Sequence, residues 1–147
     1  ELEAGDVALA AVQSANHEVG TRQPVAEVAA ASGETGVPLL VDASVTLGRD
    51  DPPAGWSILV GRANSWGGPP GVALVAVRRH LHAPPLDLPH AGLPAELAAA
   101  RGLEWADEHR ESDAIRARTL TERIRQTRAW PCCTQPSRLP NNRRQLR

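Results

Sequence analysis

The chain has 147 residues, 41% apolar and 22% charged, with a net charge of −1. That composition suits about one soluble globular domain, and no apolar run nears the ~20 residues a membrane-spanning helix needs. All 16 basic residues are arginine, which excludes any step that needs a lysine amine, because a guanidinium stays protonated at every working pH.

Four Trp and no Phe or Tyr leave the core to Ala, Val, Leu and Ile, with Trp56, Trp66, Trp105 and Trp130 as the bulky members. An alanine-rich core buries little apolar area per residue, so marginal stability is expected. The sequence lacks methionine and opens on Glu1-Leu2-Glu3-Ala4-Gly5-Asp6, from which we expect a start inside a larger domain. No basic leader followed by an apolar stretch is visible, and a cytoplasmic location is the default expectation.

In chain order, Val7 to Ala15 is a short apolar run that predicts a buried strand, and Asn16 to Thr21 reads as a loop. Pro24 opens a helical pattern through Val25, Val28 and Ala29 that Gly36 is placed to end. Val37 to Val41 predicts a second strand ending in Asp42, with Pro38 at its first position or on an edge. Asp50-Asp51-Pro52-Pro53 is a loop. Ser57 to Val60 predicts a third strand, Gly67 to Gly71 a loop, and Val72 to Val77 a fourth strand closed by Arg78-Arg79. A helix between the first two strands fits a crossover joining parallel neighbours. The loop of about eleven residues before the fourth strand allows that pair to be antiparallel.

Residues 80–94 are proline-rich and predict a connector; within it His80 and His82 suggest solvent-facing side chains more than a metal site. Two helices follow, one over 95–109 with Leu97, Ala98, Leu103 and Trp105 on or near one face. The other runs over 113–128 with Ile115, Leu120 and Ile124 as its stripe. Glu111-Ser112-Asp113 offers an N-cap between them.

Residues 129–147 contain three prolines, no acid and no periodicity, and predict a disordered basic tail. Residues 116–147 carry a net charge of +8 against −9 for residues 1–115. That asymmetry is compatible with nucleic-acid binding, but no base-stacking aromatics interleave with the tail arginines, so nucleic acid is not the expected partner. Cys132 and Cys133 are adjacent, a strained geometry for a disulfide, and two thiols fall short of a structural zinc site.

Three segments in register resemble the cysteine desulfurase branch of the class V aminotransferases, which are fold-type-I pyridoxal-phosphate enzymes. The first is Ala15-Asn16-His17-Glu18-Val19-Gly20-Thr21-Arg22-Gln23-Pro24. The second is Leu39-Leu40-Val41-Asp42-Ala43. The third is Gly61-Arg62-Ala63-Asn64-Ser65-Trp66-Gly67-Gly68-Pro69-Pro70-Gly71-Val72. The resemblance covers about residues 7–79 and implies a three-layer α/β/α fold with a mostly parallel sheet. It further implies pyridoxal phosphate as cofactor, an amino acid such as cysteine as substrate, and a homodimer.

Carried over by position, Asp42 would pair with the cofactor's pyridinium nitrogen, and Asn16 and His17 would lie near its ring. Taken alone, Asp42 also reads as a helix N-cap, and Asn16 and His17 as loop-stabilising residues. The family's Schiff-base lysine falls at Ser65, the histidine before it at Asn64, the phosphate-holding serine at Arg62, and a cofactor-contacting glutamine at Val45. Serine supplies no amine, whereas Arg62 retains a charge suited to phosphate. The sequence thus predicts a partial large domain over residues 1–79, a connector over 80–94, a helical segment over 95–128 and a tail over 129–147. It also predicts a catalytically impaired member of the family, a pseudoenzyme, with a non-catalytic interaction module as the alternative.

Overall fold

The fold is built on strands with small or branched apolar residues and on two helices, the first of which is bounded by Pro24 and Gly36. A computed structural model describes residues 7–81 and 89–127. The elements are β1 (Ala10–Gln13), β2 (Ala15–Asn16), β3 (Thr21–Arg22), α1 (Val25–Thr35), β4 (Leu39–Asp42), β5 (Ile58–Arg62), a 3₁₀ turn (Ala63–Trp66), β6 (Ala73–Val77) and α2 (Leu93–Gln126). The main sheet has the order β1-β4-β5-β6, with β1, β4 and β5 mutually parallel and β6 antiparallel to β5. This is the mixed α/β class with a mostly parallel sheet that the sequence implies, and the β5–β6 pair turns back as its short connection requires.

The central strand, β4, explains where the core sits. Leu39 and Val41 are fully buried, flanked by Val37 and Leu59, and Val25 of α1 packs on the same cluster. α1 starts just after Pro24 and ends at Gly36, whose φ of 70° is the left-handed conformation that glycine adopts without strain. Gly33 lies inside α1 with no heavy atom within 4 Å of the place its Cβ would occupy. A helical glycine there costs about 1 kcal/mol relative to alanine.

The first strand is shorter than its apolar run. Pairing begins at Ala10↔Leu39, because Pro38 can accept a bond from the Ala10 N–H but has no N–H to extend the ladder. It ends where the Ser14 backbone N–H and hydroxyl both donate to the Asp42 carbonyl. The chain then turns into the β2–β3 hairpin, Ala15↔Arg22 and Asn16↔Thr21, where the sequence suggests only a loop.

The helical region differs more. In place of two helices the structure has one of 34 residues, Leu93–Gln126. No Gly or Pro stands between Leu103 and Gln126, so the Ser112-Asp113 cap signal meets no competing breaker and the helix runs through it. Residues through Glu111 belong to one compact unit and those from Ser112 onward to a second. In the first, Ala99 and Ala106 are buried and Leu103 packs against the core. Gly102 meets the Gly67-Gly68 backbone, where an added Cβ would lie 3.1 Å from the Gly68 nitrogen. The second unit is described by its helix alone, with side-chain bonds one turn apart such as Thr121 Oγ1 to the Ala117 carbonyl.

No helix among the described residues is long and apolar enough to cross a membrane. The expectations for His82, Trp130, Cys132, Cys133 and the tail over 129–147 lie outside the described residues.

The fully buried position of Leu39 generates a stability prediction. Leu39→Ala should lower the unfolding free energy by about 2–5 kcal/mol, measured by urea denaturation. A loss below about 1 kcal/mol would show that β4 is not the centre of the core.

Candidate functional site

Parallel strands aligned in register bring their carboxyl ends to one edge, the place where open α/β sheets bind ligands. Gln13 of β1 pairs with Asp42 of β4, and Asp42 pairs with Val60 of β5. Arg62 ends β5 two residues further on, and the 3₁₀ turn carries Asn64 and Ser65 directly after it. Asn16 stands in β2, three residues past Gln13. The edge therefore gathers Asp42, Asn16, Arg62, Asn64 and Ser65, with His17 on the hairpin that opens from it.

The local bonding of each residue defines what it is free to do. Asp42 is half-buried, and its Oδ1 accepts a bond of 2.9 Å from the Ser44 N–H. That is the Asx-type turn of a capping carboxylate. The Asn16 Oδ1 accepts from the Glu18 N–H at 2.9 Å and the Val19 N–H at 3.3 Å. Its carbonyl oxygen is thus spent on shaping the hairpin tip, whereas the His17 side chain is exposed. Arg62 and Asn64 are exposed and Ser65 half-buried.

Three residues that the sequence reading did not single out, Ser14, Thr46 and Arg49, hold this edge in place together with Trp66. Ser14 and Thr46 share a buried hydroxyl–hydroxyl bond of 2.6 Å, which ties the end of β1 to the turn after Asp42. Arg49 donates from Nε and Nη2, at 3.3 Å each, to the Ser65 carbonyl. Trp66, 5% exposed, donates its indole N–H to the Ala99 carbonyl at 2.9 Å. Its ring lies over Gly61, where an added Cβ would come within 3.1 Å of it. Only Trp66 had a sequence signal, as a large aromatic before a glycine pair; the others are ordinary polar residues whose partners are distant in sequence.

Ion pairs fix the loop between β4 and β5. Arg22 of β3 contacts Asp50 at 2.9 Å, and Arg110 of α2 contacts Asp51. Surface pairs of this kind contribute about 0–1 kcal/mol each, so their effect is to orient the loop. Among the described residues there is no group of three or more His, Cys, Asp or Glu side chains able to hold a metal.

No family model matches the chain. It is 34% identical over 134 residues to an IscS-like cysteine desulfurase of Mycobacterium tuberculosis; the match takes in 81% of this chain and 34% of that protein. The chain therefore spans about a third of the length of this curated relative. Among solved structures it is similar to a NifS-like protein, with a TM-score of 0.73 and 26% identity over 83% of this chain and 38% of the other. DndA from Streptomyces lividans matches with a TM-score of 0.71 and 20% identity over 88% and 41%, a likeness of fold.

The capping bond of Asp42 separates its structural role from any role in binding. Asp42→Asn keeps an acceptor oxygen for the Ser44 N–H and should leave thermal stability nearly unchanged. Asp42→Ala should cost about 0.5–2 kcal/mol, as loss of a cap does. Equal losses in the two variants, measured by thermal unfolding, would contradict the capping role.

Proposed function

We propose that this chain, which belongs to the cysteine desulfurase-like class V aminotransferase family, is a catalytically silent member that retains the ligand-facing edge of the fold. One observation carries the reading. The 147-residue sequence has no lysine, and in the resemblance of residues 61–72 to the family's motif the anchoring lysine falls at Ser65.

The residues present do not fit a covalently held pyridoxal phosphate. A serine hydroxyl cannot replace the amine that anchors the cofactor and moves protons, and the only basic side chains, apart from His, are guanidiniums. Asp42 still offers a carboxylate at the end of β4, but one of its oxygens already serves the Ser44 N–H. Arg62 keeps a charge that suits a phosphate at the end of β5. Non-covalent docking of the cofactor by Asp42, Arg62, Asn64, Asn16 and His17 is what these groups support. Cleavage of the C–S bond of cysteine, the chemistry of the parent family, is not.

Partner binding is the second reading, and exposed apolar side chains favour it. In the first unit Leu93, Leu97 and Trp105 are each more than half exposed, as are Ile115, Leu120 and Ile124 in the second, and exposed apolar side chains on a helix are available for association. Association as a homodimer is the form that agrees with the family resemblance. Sedimentation velocity over a concentration series should show a reversible dimer; a monomer at every concentration would remove this reading.

The test of the main reading is a pyridoxal-phosphate titration of the chain beside a Ser65→Lys variant, followed by borohydride reduction and peptide mass mapping. The unaltered chain should fix no cofactor at residues 61–72, and the variant should fix one equivalent at position 65. Fixation within that segment of the unaltered chain would overturn the catalytic silence. No binding by either protein would overturn the retained pocket and leave partner binding as the function.

A further inference from the structure

A cavity of about 650 Å³ opens at the opposite end of the sheet from Asp42. It lies among the last turn of α1, the residues leading into β4 and β5, and the segment leaving β6. Its walls combine apolar surface from Ala29, Pro38, Trp56 and Leu81 with the basic side chains of Arg78 and His80, and among the described residues no Asp or Glu lines it.

Among the described arginines, Arg78 is set apart by its aromatic contact. Arg22, Arg101, Arg110, Arg116 and Arg125 each contact a carboxylate, whereas Arg78, like Arg49, Arg62, Arg79, Arg118 and Arg123, makes no ion pair among the described residues. Its guanidinium lies instead over the ring of Trp56, 4.1 Å from the centroid. Stacking fixes the plane of the guanidinium and leaves its N–H edge available for an oxyanion.

Gly33 supplies the second observation. The other glycine within a helix, Gly102, is required by the close approach of the Gly67-Gly68 backbone. At Gly33 a Cβ would meet nothing within 4 Å, and its φ is ordinary. Neither packing nor backbone conformation demands a glycine there, yet the residue lines the cavity and its lack of a side chain keeps the space open.

We infer that this cavity binds a small organic carboxylate, with the charge on Arg78 and a compact apolar body lying toward Gly33 and Pro38. The orientation follows from electrostatics. The carboxyl end of α1 forms the wall at Gly33 and Gly36, and its partial negative charge disfavours an anion on that side. A planar carboxylate matches the guanidinium fork, and the His80 imidazole stands on the same segment as a second polar group. This site is independent of the family's own and does not depend on the reading of Ser65.

The test uses the full chain labelled with ¹⁵N, with the indole N–H signal of Trp56 identified by its absence in Trp56→Phe. Benzoate should shift that signal saturably, and its neutral analogue benzyl alcohol should not. Arg78→Gln should weaken benzoate binding at least tenfold. Gly33→Leu, which fills the cavity from a helical position, should abolish binding without lowering the melting temperature. No saturable shift, or binding unaffected by Arg78→Gln, would overturn the site. Inorganic phosphate binding as tightly as benzoate would overturn the assignment of an apolar body to the ligand.

Discussion

The carboxyl-terminal edge of the sheet depends on the seating of one indole. Trp66 follows directly after the candidate site residues Arg62, Asn64 and Ser65, and it is pinned in three directions. Its N–H reaches the Ala99 carbonyl of α2. Its ring covers Gly61 in β5, and its Cβ approaches Gly48, where a glycine at φ 80° leaves only 2.6 Å for any added carbon. A bulky ring is accommodated in this alanine-rich core because glycine stands wherever the ring or the following turn approaches backbone. Gly68 and Gly102 extend the same device, since α2 comes near enough to the loop that neither tolerates a side chain. The chain segment from Arg62 to Ser65 is therefore held by what lies behind it: Ala63 is buried in the core, while Arg62 and Asn64 are exposed and Ser65 is half-buried.

How much of this was legible in the sequence differs by element. The strand–helix–strand unit from β1 to β4 could be read because Pro24, Gly36 and Pro38 punctuate it and Leu39 to Val41 is continuously apolar. The antiparallel return of β6 followed from the length of the loop before it. The β2–β3 hairpin was hidden, because two residues a side give no alternating pattern and the register rests on the Asn16 side chain bonding two backbone N–H groups. The continuous α2 was hidden for the opposite reason. Ser112 and Asp113 are strong capping residues, but a cap acts only where the preceding chain leaves the helix, and nothing between Leu103 and Gln126 makes it do so.

Within the candidate site the sequence offered candidate positions and missed the residues that support them. Asp42, Arg62, Asn64 and Ser65 could be placed because they stand in a motif that resembles a known family. Ser14, Thr46 and Arg49 could not, since a serine–threonine bond across 32 positions and an arginine on a carbonyl 16 positions away carry no local signature. Ser14 shows the consequence. Its backbone and hydroxyl both bond the Asp42 carbonyl, so the strand that carries the carboxylate is fixed from behind by a residue with no chemistry of its own.

The exclusive use of arginine gives these features a common cause. Lysine is a flexible point charge whose amine can lose its proton and react, whereas arginine is a rigid fork that cannot. Arg49 uses two donors to hold the Ser65 carbonyl, Arg22 and Arg110 hold the acidic residues Asp50 and Asp51, and the Arg78 guanidinium sits over the Trp56 ring. Each is a positioning contact that a guanidinium makes well. Covalent attachment of a carbonyl compound is a different task, which requires a nucleophile and not a fork. A chain without lysine can therefore keep the architecture of the edge, and even reinforce it, with contacts that need only a charged, planar donor.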